Sequence, residues 1–255
     1  MFRRWLFLIF LSLMLAECKD GLEDPLSDTQ LGYEYYPLEV GKYRIYQVDS
    51  IQFDLGMGDL PVSDTSRFFL RENTVEIIPD LEGHDRYRIE RSRSADPEGP
   101  WAPLDVITRD RNERQAGSTE NNIRLINLVF PPTKDLSWNG TSYINDQITV
   151  FVKGETIEMY RDWDFRILSV DVNEQIGQYN FEDVVTVQQS DSENPFEKRY
   201  SIEKFAKGVG LIFKEQQIVD SYCKYVGDNA HCVGLDWNLK SGRGYFLTFH
   251  LVDYN

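Results

Sequence analysis

The sequence predicts a mainly β protein: a single antiparallel domain curved into an open barrel or half-barrel, with little helix. Three observations carry that expectation. Short runs rich in aromatic and β-branched residues recur from Tyr33 to the C-terminus at the spacing of a barrel or sandwich. No long stretch has the period of a helix. Hydrophobic residues make up 41% and aromatic residues 13% of a 255-residue chain, ample material for one large core.

At the N-terminus, two cationic residues, Arg3 and Arg4, precede the apolar run WLFLIFLSLMLA from Trp5 to Ala16. A membrane-spanning helix needs about 20 apolar residues, so this shorter run with a positive front has the layout of a signal peptide, expected over residues 1–17. LAEC, from Leu15 to Cys18, resembles the bacterial lipobox, although Glu17 stands where a small residue is usual. The resemblance implies that Cys18 becomes the lipidated first residue of the mature chain. The acidic stretch that follows, broken by Gly21 and Pro25, is too poor in apolar side chains to offset its ordering entropy. Residues 18–30 are therefore expected to form the lipidated cysteine and a flexible tether.

Residues 31–255 are expected to be one antiparallel β domain. KYRIYQVDSIQFDL (Lys42 to Leu55) opens it, and SRFFLRENTVEIIPDL and DRYRIERSRS follow, parted by a turn group around Gly83. In the latter, Tyr87 and Ile89 alternate with Arg86, Arg88 and Glu90, giving one apolar face and one wet face. NNIRLINLVFPP holds a near-continuous apolar run stopped by Pro131 and Pro132, the texture of a centrally buried strand covered on both faces. ETIEMYRDWDFRILSVDVN, DVVTVQQ, KRYSIEKFA, VGLIFKEQQIVDSY and RGYFLTFHLVDY bring the total to roughly ten strands. GETIEMYRDW has room for a helical turn or two, against which Thr156 and Ile157 weigh. SADPEGPWAP, RDRNERQAGSTEN and GDNAHCVGLDWNLKSGRG read as the longest irregular connections.

With Cys18 given to the lipid, Cys223 and Cys232 remain as a pair flanking KYVGDNAH, whose Gly227 and Asp228 suit a turn. A disulfide is expected in an oxidising compartment. The competing zinc reading has two thiols and His231 but no fourth ligand. The charge balance is 42 acidic against 27 basic residues, a net −15. Nucleic acid is excluded as a partner, because binding it relies on clustered Lys and Arg. Anionic membrane surfaces are repelled too, which leaves membrane contact to the lipid on Cys18.

No catalytic constellation is recognisable. His84, His231 and His250 stand beside no nucleophile motif, and the chain has no GxSxG elbow, HExxH helix or P-loop. GVGLIF at Gly208 to Phe213 lacks the third glycine of a dinucleotide fingerprint and reads as a turn entering a strand. No catalytic residue, metal ligand or cofactor is expected. Asp162 and Asp164 in RDWDF would share one face of a strand, as an acid/base or calcium pair does, but so acidic a composition produces such pairs by chance. Asn139 in NGT marks a turn after Trp138. Trp101, Trp163 and Trp237 are the candidate ligand contacts, with core packing as the competing role for such large rings.

YYPLEVGKYRIYQVDSI (Tyr35 to Ile51) and FAKGVGLIFKE (Phe205 to Glu215) resemble paired landmarks of a lipoprotein family of the Bacteroidota, an early PL-x-VG-x-x-W-x-Y and a late A-x-GVGLV. ENNIRLINLVFPP with WNG (Trp138 to Gly140) is similar to that family's middle portion. Lys42 replaces the usual Asn, and Tyr43 and Ile45 surround the place of the usual Trp. Lys19 and Asp20 are similar to the surface-export signal of such lipoproteins. The resemblance implies an antiparallel, LolA-like open barrel and brings no catalytic residues. The expected function is a non-enzymatic binding or assembly component of the cell envelope, lipid-anchored at the outer membrane or cell surface, with a lipid or other apolar ligand in the barrel. The alternative is a glycan- or protein-binding surface module, and behind it an envelope hydrolase built on carboxylates.

Overall fold

A computed structural model describes residues 31–56, 60–227 and 232–255. The expected leader, Cys18, the tether up to residue 30 and His231 lie outside the described residues. Strand accounts for 64% of what is described and helix for 6%, which is the mainly β class the sequence predicts.

The strands are β1 (Tyr43–Leu55), β2 (Pro61–Pro79), β3 (Asp85–Ser94), β4 (Ala102–Arg111), β5 (Gln115–Glu120), β6 (Ile123–Val129), β7 (Ser137–Trp138), β8 (Thr149–Val152), β9 (Glu155–Glu158), β10 (Phe165–Ile176), β11 (Tyr179–Glu193), β12 (Glu197–Ala206), β13 (Gly210–Ser221) and β14 (Ser241–Tyr254). The described part of the last connection carries the short helices α1 (Cys223–Val226) and α2 (Trp237–Lys240). Twelve strands form one sheet in the order β6-β5-β4-β3-β2-β1-β14-β13-β12-β11-β10-β7. All neighbours are antiparallel, so the sheet is two meanders joined where the first and last strands pair.

Three expectations need correction. RDRNERQAGSTEN is not a loop: Asn112 accepts from the N–H groups of Arg114 and Gln115, and this tight Asx turn lets Gln115–Glu120 pair as β5. GETIEMYRDW is not helical: Lys153 and Gly154 both have positive φ, the backbone of a two-residue hairpin turn, and Thr156 and Ile157 fall in β9. LINLVF is covered on both faces, but β6 is a terminal strand of the sheet and not a central one. Its covering comes from the opposite end of that sheet. The Ile126 N–H donates to the Gly140 carbonyl at 2.9 Å, and the Trp138 indole donates to the Ile126 carbonyl at 2.9 Å. These contacts nearly close the barrel.

Gly140 is required at that seam, because a Cβ there would lie 2.5 Å from three carbons of the buried Phe165 ring. Asn139 makes the expected turn, its Oδ1 accepting from the Thr141 N–H and hydroxyl. The main core, with Tyr35, Tyr36, Trp163, Phe165, Phe205 and Ile218, fills the barrel beside the seam. On the neighbouring strand, β10 breaks register against β11 at three points and holds Asp171 at φ 55°.

The early and late landmarks meet in space. The Gly208 N–H donates to Glu34 O at 2.8 Å, Arg44 Nε to Val209 O at 2.5 Å and the Tyr46 hydroxyl to Leu211 O at 3.0 Å. Gly210 leaves room for that arginine, since a Cβ would stand 2.9 Å from Arg44 Nη2. At the other end of β13, Cys223 and Cys232 are joined, with Cα atoms 6.1 Å apart.

Candidate functional site

Inward-facing side chains on a closed sheet either fill the barrel or line a hollow. Here they leave a cavity of 650 Å³. Its apolar wall is built by Ile123 and Leu125 of β6, Val150 of β8, and Leu247 and Phe249 of β14. The opening is rimmed by Asn121 and Asn122, whose positive φ values form the β5–β6 turn, and by Phe151, which is 78% exposed. The β8–β9 hairpin lies along this rim, held by Lys153 to Asp64 at 3.2 Å and Arg243 to Glu155 at 3.3 Å.

The opposite wall is charged, and sheet register explains how. Arg44 of β1 lies directly across from Glu72 of β2, Glu72 across from Arg91 of β3, and Arg91 across from Asp105 of β4. Opposite charges thus alternate across four strands, the cross-strand pairing that favours sheet formation. Arg109 of β4 reaches back over β3 and donates from Nη2 to both oxygens of Glu72, at 2.8 and 3.0 Å. Arg91 forms a bidentate pair with Asp105, both contacts 2.6 Å, and also donates to Glu120.

Burial of Glu72, only 3% exposed, would push its carboxyl pKa up, yet Arg109, Arg91 and Arg44 around it hold it below the usual carboxylate range. Burial works against the charge of Arg109 as well, and Glu72 more than offsets it, so its pKa is raised. On the far side, Lys214 approaches Glu203 at 3.3 Å. Tyr160 and Tyr245 also line the cavity with phenols pushed upward mainly by burial.

None of the three candidate tryptophans lines this cavity. Trp101 is half-buried before β4, under the Arg71 guanidinium 6.0 Å away. Trp163 packs edge-on to Tyr160 in the main core and donates to the Met159 carbonyl at 2.7 Å. Trp237 pins the last connection to the outside of the barrel, packing on Phe53 and Val219 and donating to Glu193 at 2.8 Å. Trp163 and Trp237 are largely buried, and each lines a smaller cleft apart from the barrel cavity, of 330 Å³ and 400 Å³ respectively.

Asp162 and Asp164 lie in the turn before β10 and not on a strand; both are exposed beside a separate cleft of 330 Å³. Among the described residues no group of three or more His, Cys, Asp or Glu is placed to hold a metal ion.

Fold and cavity together define a nearly closed antiparallel barrel with a hollow, partly charged interior. No family model matches the chain, and no curated protein matches it either. Two solved structures align with the chain along most of its length. One, from Parabacteroides distasonis and described as a lipoprotein, aligns over 87% of this chain and 98% of its own at 10% identity, with a TM-score of 0.33. The other, from Bacteroides fragilis and described as exported with a YmcC-like fold, aligns over 86% of this chain and 98% of its own at 10% identity, with a TM-score of 0.37.

Proposed function

We propose that this protein is a cell-envelope lipoprotein whose barrel binds a small amphipathic molecule, without chemistry, in its central cavity. The observation that carries the reading is the cavity itself: 650 Å³, open at the Phe151 rim, apolar on one wall and charged on the other. That volume lies within the range of small-ligand sites, which are mostly apolar with a few placed polar groups. A purely apolar ligand fits less well than the sequence suggests, because Arg44, Glu72, Arg91 and Arg109 would face it. Acylation of Cys18 supplies the membrane anchor in this reading and places the domain at the outer membrane or cell surface.

The test uses the mature chain, residues 18–255, with Cys18→Ser so that no acyl group of its own competes. The uncharged probe N-phenyl-1-naphthylamine should bind once per chain with enhanced fluorescence. Leu247→Trp, which fills the apolar wall, should abolish that binding while the circular dichroism spectrum stays that of a β protein. Absence of saturable binding would sink the reading.

A further inference from the structure

We infer that the cavity takes a ligand with an anionic headgroup, carboxylate or phosphate, on an aliphatic chain, and that Arg44 receives the anion. The inference rests on the barrel-binding reading above and names the chemistry of its ligand. Arg44 is 8% exposed and lines the cavity, yet among the described residues no carboxylate oxygen comes within 4.0 Å of its guanidinium. Its cross-strand partner by register is Glu72, and both Glu72 oxygens are taken by Arg109. The guanidinium is instead steered by carbonyls: Nε donates to Val209 O at 2.5 Å and Nη2 to Pro37 O at 3.3 Å. Nη1 has no protein partner among the described residues.

A buried cation that no carboxylate touches is incompletely compensated, whereas a guanidinium oriented in advance and left with a free N–H edge is a receptor for planar or tetrahedral oxyanions. Arg91 and Arg109 stand on β3 and β4 of the same wall, beyond β2, and the carboxylates that neutralise Arg91, Asp105 and Glu120, are each more than a third exposed. Arg91, Arg109 and Lys214 are each in contact with a carboxylate, so in a chain of net charge −15 Arg44 is the cavity-lining cation left for a headgroup to meet. Leu211, in β13 two residues after the Val209 carbonyl that accepts from Arg44, begins the apolar surface that Leu247 and Phe249 continue, which gives an attached chain its path.

Displacement of the bound naphthylamine probe by dodecanoate, dodecyl phosphate and dodecanol tests the assignment, using the mature chain with Cys18→Ser. Either anion should displace the probe at concentrations about 10- to 100-fold lower than the alcohol, the affinity equivalent of one charge-assisted hydrogen bond. A stronger dodecyl phosphate identifies a phosphate headgroup, and an equal or stronger dodecanoate a carboxylate. Arg44→Gln should erase the difference between anion and alcohol, and Arg44→Lys should retain part of it. Equal displacement by all three amphiphiles in the parent chain overturns the inference even if Arg44→Gln fails to fold, and so does an anion preference that survives Arg44→Gln. If the probe never binds, the barrel-binding reading itself has failed.

Discussion

Trp138 donates its indole N–H to the carbonyl of Ile126 at 2.9 Å, and this bond links the two terminal strands of a twelve-stranded sheet. Beside it, Gly140 accepts from the Ile126 amide while its Cα leaves no space for a methyl group against Phe165. Gly140→Ala should therefore destabilise the fold by about 1–3 kcal/mol through overpacking against a ring that has no room to move. Trp138→Phe, which removes only the hydrogen bond and some contact, should cost about 1 kcal/mol. Urea unfolding gives both values; an alanine at position 140 without effect would show that the seam is loose.

Glu72 carries the clearest pH dependence. Its folded pKa lies below the unfolded value, so the stability it contributes is present above about pH 4.5 and is lost as pH falls through the lower folded value. Glu72→Gln should remove that acid-limb dependence and lower stability by about 3–5 kcal/mol at neutral pH, because it strands Arg109. The exposed pair of Arg67 and Asp49 is the control: Asp49→Asn should change stability little. Melting temperature followed from pH 7 to pH 3 checks both, and a parallel acid limb in Glu72→Gln refutes the assignment.

The link between Cys223 and Cys232 closes a short loop, with a sequence separation of 9. Chain entropy assigns such a loop about 2–3 kcal/mol, so Cys223→Ser with Cys232→Ser should reduce stability by that amount. Mass spectrometry of the unreduced peptide should show the bond in exported protein. Two freely alkylated thiols would contradict it.

Acylation of Cys18 is checked by metabolic labelling with an alkynyl fatty acid. The parent chain should incorporate label and Cys18→Ala should not. Equal labelling of the two, or none in a host that processes lipoproteins, removes the proposed anchor.

The fold class was legible because it rests on period and composition, which are local. Tyr87 and Ile89 alternating with Arg86, Arg88 and Glu90 place an inner and an outer face without any knowledge of neighbours. Position within the sheet is not local, so β6, apolar enough to sit centrally, lies at an end and owes its covering to Trp138 and Gly140.

The charged wall was visible in principle. Arg44 shares its side of β1 with Tyr46 and Val48, Glu72 shares its side of β2 with Leu70 and Thr74, Arg91 follows Ile89, and Arg109 follows Ile107. Each is a charge at an inward-facing position, the mark of a lined cavity. What no single strand reveals is the register that sets these four side by side, or the reach of Arg109 across β3. The three tryptophans lie away from this cavity, and ring size by itself signals burial as readily as binding.

The bulges of β10 bear on how the molecule behaves in a crowd. Beyond the short stretch capped by β7, this strand forms the remaining margin of the sheet, where bare amides and carbonyls would template an incoming chain. Three register breaks deny an intruder a straight ladder. Asp171, turned to positive φ between them, is held by Lys207 at 2.8 Å and by the Tyr35 hydroxyl. Concentrated copies thus find no flat border along β10 on which to polymerise, and neighbours there must recognise side chains instead of backbone.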